Sequence, residues 1–141
     1  MHFVAADDSE FVPASHENPS APGVLKRVIA GDAMFQFGQV RMLNWARLPV
    51  GASFRPHYHE DMQEAFVLVK GHVRMRGGDQ FVMMQPGDTV LVPPGEIHQM
   101  RNEGSEVAEY LVFGISSGEN GRTIVVDEFS EHSDNTHSLE T

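Results

Sequence analysis

From Val24 to Val112 the chain alternates short apolar runs with turn signals, and that rhythm predicts strands. The runs are Leu25–Ala30, Val40–Leu48, Glu64–Lys70, His72–Arg76, Gln80–Met84, Thr89–Val92, His98–Asn102 and Ala108–Ile115. Between them stand Gly31-Asp32, Pro49-Val50-Gly51, Gly77-Gly78-Asp79, Pro86-Gly87-Asp88 and Pro93-Pro94-Gly95. Proline contributes a fixed φ to these breaks and glycine a φ free to turn positive. Gly77-Gly78-Asp79, between two apolar runs, predicts a tight hairpin. No stretch of ten residues carries a clear helical period, so the expected class is all-β, a sandwich or barrel. Arg122–Phe129 is expected to add one late strand.

The two ends read differently from this body. Residues 1–22 are polar and acidic and carry Pro13, Pro19 and Pro22, which predicts an extended N-terminal arm rather than a helix. Residues 23–129 form the expected β-barrel domain, and 130–141 a flexible acidic tail. The 141 residues suit one domain with its own hydrophobic core. Net charge is −10 and is concentrated at the ends. Four acids and no Lys or Arg fall in residues 1–20, and six acids against Arg122 in 119–141, whereas the central 21–118 hold ten acids against nine bases. No basic stripe of the kind that nucleic-acid binding needs is present. There is neither a basic leader with an apolar core nor an apolar run of the ~20 residues a spanning helix needs, so a cytoplasmic protein with no membrane partner is expected.

Cysteine is absent, which excludes disulfides, iron–sulfur clusters and thiolate-bound zinc. No phosphate loop, nucleophile elbow or triad is visible. What remains is His57-Tyr58-His59, then Glu64, then His98. Residues i and i+2 of a strand share a face, so His57 and His59 present both rings to one side. Glu64 opens an apolar run, and the rigid Pro93-Pro94-Gly95 bend can aim His98 back toward the first segment. Three neutral imidazoles and a carboxylate suit a divalent Fe, Mn, Ni, Zn or Cu ion and leave coordination positions open. Taken alone, an H-x-H pair is weak evidence, because alternate residues of an exposed strand are often polar. His2, His16, His72, His132 and His137 are read as structural or exposed.

Together the residues resemble the cupin family through both of its signature motifs. The first runs Gly51, five residues, His57-Tyr58-His59, four residues, Glu64, six residues, Gly71. The second runs Gly87, five residues, Pro93, one residue, Gly95, two residues, His98, three residues, Asn102. Fifteen residues separate them. The resemblance implies a small single-domain cupin, a double-stranded β-helix or jelly-roll barrel with a metal inside one end. It implies His57, His59, Glu64 and His98 as the ligands, with the glycines, Pro93 and Asn102 as scaffold. Because such barrels often dimerise, a homodimer is expected, with Phe3, Val4, Phe11 and Val12 of the arm available to the interface.

Strand parity suggests an apolar cavity wall of Phe54, Phe66, Leu68 and Met100, with Asn102 beside it; the alternative is that these are ordinary core residues. On the strand before the first motif, Met42, Asn44, Ala46 and Leu48 share one face, and Trp45 and Arg47 the other. If Arg41 or Arg47 faced the barrel, an anionic substrate would be expected; the favoured reading is that both are surface charges. Tyr58, Gln63 and Gln99 are candidate partners of the ligands, and His72, Arg74 and Arg76 read as a solvated face. Dioxygenases, isomerases, decarboxylases and lyases share this scaffold, so the fold selects no reaction. The favoured expectation is a metal-dependent enzyme on a small organic substrate, dioxygenase-like. A non-catalytic small-molecule sensor and a sugar isomerase are the alternatives.

Overall fold

A computed structural model describes residues 1–35, 39–116 and 122–127. Among the described residues, two antiparallel sheets face each other, built from eleven strands. In chain order these are β1 (Val12–Pro13), β2 (Leu25–Gly31), β3 (Val40–Leu48), β4 (His57–His59), β5 (Met62–Lys70), β6 (Val73–Gly77), β7 (Gln80–Met84), β8 (Thr89–Val92), β9 (His98–Asn102), β10 (Ala108–Ser116) and β11 (Thr123–Val125). The first sheet runs β1-β2-β3-β10-β5-β8 and the second β11-β4-β9-β6-β7. This is the jelly-roll expected from the sequence. A single 3₁₀ turn, Asp32–Met34, follows β2, and no helix among the described residues is long and apolar enough to cross a membrane.

Strand bounds differ from expectation where a longer neighbour continues the ladder. β5 begins at Met62 rather than Glu64 because Met62 and Gln63 pair with Ser116 and Ile115 of β10. The late strand is shorter than expected, pairing Thr123–Val125 with His59–His57 of β4; Glu128, Phe129 and the tail from 130 lie outside the described residues. The hairpin at 77–80 forms as expected, with Gly77 opposite Gln80 and Gly78 at positive φ in the turn.

Alternation decides what each strand buries. Asn44, Ala46 and Leu48 of β3 point inward, as do Ala108, Tyr110 and Val112 of β10 and Glu64, Phe66 and Leu68 of β5. Arg74 of β6 points outward, over the Phe81 ring and against Glu103. Leu48, Leu68, Met75, Met84 and Met100 are almost fully buried. Each stabilises the barrel by about 1.5–3 kcal/mol relative to exposure. This apolar core supports the cost of a polar site held in the same interior.

Asn102 ties this core to two loops. Its buried amide donates to the Leu48 and Glu106 carbonyls at 2.9 and 2.8 Å, and its Oδ1 accepts from the Gly104 N–H at 2.9 Å. Gly51 also donates its N–H to the Asn102 carbonyl.

Candidate metal centre

β4 lies between β9 and β11, and its alternation turns His57 and His59 inward while Tyr58 faces the other way. His57 is the register partner of His98, so the two distant motifs meet by direct strand pairing. Glu64 enters from the facing sheet, on β5. All four side chains are buried, and one ligand atom from each lies within 4.8 Å of the others.

The outer nitrogens of the imidazoles have partners that set the rings. His57 Nδ1 lies 2.6 Å from the Arg55 carbonyl and His98 Nδ1 3.0 Å from the Glu96 carbonyl. A carbonyl only accepts, so both Nδ1 atoms carry a proton, and each ring turns its Nε2 inward as the nitrogen a metal would take. His59 Nδ1 meets the Thr123 hydroxyl at 3.1 Å. On the inner side, Glu64 Oε1 lies 2.6 Å from His59 Nε2 and 3.1 Å from His98 Nε2. Fixed outer nitrogens and clustered inner donors fit a divalent metal held by His57, His59, Glu64 and His98.

Burial alone would raise the Glu64 carboxyl, but the hydrogen bonds and charges of His59 and His98 more than offset it and hold it below the ordinary range. Burial, reinforced by neighbouring imidazoles, pushes His57 down to about 2. An imidazole kept neutral in the fold takes up a proton on unfolding at acid pH, so stability falls as pH drops below about 6.5. The paired Glu64 carboxylate adds a further loss at lower pH. For metal-free protein, the denaturant midpoint is expected to be level above about pH 7 and to fall steadily from pH 6.5 to 4; a level midpoint down to pH 4 contradicts these protonation states.

A cavity of about 210 Å³ opens beside the ligands, below the ~300–1,000 Å³ of drug-sized sites, so it suits a small molecule. Of the expected apolar wall, Phe54 and Phe66 line it, whereas Leu68, Met100 and Asn102 are buried elsewhere in the interior. The expected ligand partners fall elsewhere too: Gln63 is exposed, Gln99 donates to the Phe54 carbonyl, and Tyr58 faces away. Arg55, Glu96 and Thr123 take that role instead.

His16 departs most from expectation. Read as structural or exposed, it lines the cavity with Ala14 and Ser15, its ring stacked on His57 at 4.1 Å between centroids. Burial pushes its pKa down to about 4, so it too is neutral. The arm reaches this place because Glu17 is buried and accepts the Arg55 N–H at 3.1 Å, while the Ala14 N–H donates to the Val24 carbonyl. Gly23 makes the close approach possible: a Cβ there would run into the Ser53 carbonyl oxygen. Because that obstacle is backbone, Gly23→Ala is expected to lift the arm and cost about 1–3 kcal/mol. Hydrogen exchange should show faster exchange at Ala14 and Glu17; unchanged protection and melting temperature would contradict the packing.

The family model described as Cupin domain matches residues 44–114, which holds all four candidate ligands. The chain belongs to the cupin family. No curated protein matches this cupin in sequence. Its barrel is similar to solved structures at low identity. A predicted oxalate decarboxylase from Thermotoga maritima gives a TM-score of 0.71 at 23% identity, over 82% of this chain and 99% of that one. The polyketide cyclase RemF from Streptomyces resistomycificus gives 0.70 at 17%, over 94% and 92%. A sugar phosphate isomerase of the cupin superfamily from Silicibacter pomeroyi gives 0.69 at 24%, over 90% and 83%. At these identities the likeness establishes the fold alone.

Proposed function

We propose that this cupin is a metal-dependent enzyme acting on a small organic substrate inside the barrel, with oxygenase-type chemistry favoured over sugar isomerisation. The observation that carries the reading is a cluster of four buried donors, three of which, His57, His59 and Glu64, line a cavity sized for a small molecule. A first-row ion held there would supply Lewis acidity and, if redox-active, a route for electrons to dioxygen. The chain's own residues shape the remainder of the site. Phe54, Phe66 and His16 pack around the ligands and exclude water. Tyr110 lines the cavity with its phenol pushed up by burial, so it stays a hydrogen-bond donor. Two cations, Lys26 and Arg41, reach the cavity, and much of its remaining wall is apolar. That balance favours a small acid over a sugar phosphate, whose many hydroxyls would need more polar partners.

The activities named for the three structural relatives differ from one another, so a direct assay must choose among reactions. Protein loaded anaerobically with Fe(II) should be tested by oxygen electrode against small acids, diketones and phenols. The reading expects substrate-dependent oxygen uptake that a His57→Ala/His59→Ala variant lacks. Saturable ligand binding with no turnover under any first-row metal would favour a binding module instead.

A homodimer is part of the proposal. Edge strand β7 exposes Phe81, Val82 and Met83, a surface suited to a second copy. Light scattering should give twice the 15.7 kDa chain mass; a single chain mass at micromolar concentration would exclude it.

A further inference from the structure

The inward face of the first sheet near the cavity forms three ladder rows: Gly31-Met42-Gly114-Glu64, then Val28-Asn44-Val112-Phe66, then Lys26-Ala46-Tyr110-Leu68. The third row sets a one-carbon side chain, Ala46, between two long ones, and Lys26, Ala46 and Tyr110 all line the cavity. This leaves a bay with buried Ala46 as its floor. Asn44 lies one row nearer Glu64 and is the diagonal neighbour of Tyr110, so one small molecule can touch both. In its own row Asn44 is the single polar residue, set between Val28 and Val112. Arg41 also lines the cavity, although alternation along β3 would put it outside with Trp45 and Arg47. The register shifts there, with Gly114 opposite Met42 and Ile115 opposite Val40, so Arg41 is the extra residue of a β-bulge, which re-aims its side chain. It has interactions of its own, Asp32 at 4.0 Å among them. Arg47 stays outside, bonded to Glu109 at 2.8 Å and lying over the Phe11 ring.

We propose that Asn44 and Tyr110 form a recognition pair for an α-hydroxy-carbonyl compound, with Asn44 Oδ1 accepting from the hydroxyl and the Tyr110 phenol donating to the carbonyl oxygen. The proposal deepens the enzyme reading above and rests on it only in taking this cavity as the substrate site. Asn44 is 5% exposed, and its Oδ1 has no hydrogen-bond partner. A buried acceptor without a donor is costly, and a ligand hydroxyl in the cavity completes it. Burial keeps the phenol protonated, so Tyr110 stays a donor. Lys26, across Ala46 from Tyr110, adds positive charge beside the carbonyl oxygen, so a carboxylate or a ketone meets the same donors. The same charge selects a neutral hydroxyl over an ammonium as the donor to Asn44. Because the Asn44 row lies between those of Tyr110 and Glu64, the bound compound lies along the sheet with its hydroxyl end toward the metal ligands.

The test is calorimetric titration of the full chain, with and without metal, using pairs that differ only in the hydroxyl: lactate and propionate, mandelate and phenylacetate, hydroxyacetone and acetone. At least one hydroxy compound should bind roughly tenfold or more tightly than its deoxy partner, and the acid and ketone pairs tell which carbonyl is read. Asn44→Val should bring the two members of that pair to within about twofold of each other, and Tyr110→Phe should weaken the hydroxy compound by about fivefold or more. Removing an unpartnered buried amide should leave the melting temperature of Asn44→Val at or above wild type, whereas loss of a structural bond would lower it. Arg47→Met, outside the barrel, should change nothing. A preference that both variants keep belongs to the metal, which a hydroxy acid can also chelate, and overturns the proposal. Absence of any preference across the pairs overturns it too. Turnover without a hydroxyl preference would remove the subsite and leave the enzyme reading standing; an Asn44-dependent preference without turnover would do the reverse.

Discussion

Replacing His57 and His59 together by alanine is expected to abolish metal retention. The two rings supply two of the four donors, and His57 is aligned with His98 by the pairing of β4 with β9. What remains is one imidazole and one carboxylate, too few donors to hold a first-row ion against water and chelator. Wild-type protein carrying metal at 1,000 times its dissociation constant should be stabilised by about 4 kcal/mol, and the variant should show no metal-dependent shift in melting temperature. The substitution also strips Glu64 of its closest partner, His59 at 2.6 Å, which leaves a buried carboxylate against His98 alone. The metal-free variant should therefore be less stable than metal-free wild type. His72→Ala, at an exposed position, is the control and should retain the metal. Elemental analysis with thermal melts reads both effects; a double variant that keeps an equivalent of metal would place the site elsewhere.

Asn102→Ala is expected to give the largest loss of stability from a single polar side chain, with metal binding in the folded fraction unchanged. The amide makes three hydrogen bonds, to the Leu48 and Glu106 carbonyls and from the Gly104 N–H. Truncation leaves three backbone groups without their partner in a nearly dry interior, since Asn102 is 1% exposed. At roughly 1–3 kcal/mol for each orphaned buried group, partly relieved by entering water, the cost should be about 3–5 kcal/mol. Asn102→Asp should be comparably damaging, because it replaces a double donor with a carboxylate facing two carbonyls. Urea denaturation measures both, and a loss below about 1 kcal/mol would contradict the role of Asn102 as the tie between β9 and its loops.

Much of this was legible because it rests on local rules. Period-two alternation put His57 and His59 on one face, and glycine and proline fixed the turns that β6 to β9 need. The four candidate ligands followed from spacing and family resemblance together. What sequence could not reveal depends on contacts between distant segments. His16 sits in a polar arm with no periodicity, and only the buried Glu17 and the Gly23 approach to Ser53 bring it to His57. Arg41 was hidden by a bulge, which breaks the parity that a strand reading assumes. Thr123 reaches His59 only because β11 pairs with β4. The ligands' immediate neighbours Tyr58, Gln63 and Gln99 were expected as their partners, yet adjacency along a strand sends side chains to opposite faces.

The central claim is that His57, His59, Glu64 and His98 hold one divalent metal together. X-ray absorption spectroscopy of protein loaded with one equivalent of Zn(II) or Mn(II) tests it most directly, because coordinated imidazole rings scatter in a recognisable multiple-shell pattern. Three imidazoles and at least one carboxylate oxygen in the first shell are predicted, falling to one imidazole or to unbound metal in His57→Ala/His59→Ala. A wild-type first shell of oxygen alone, or with a single imidazole, would contradict the account.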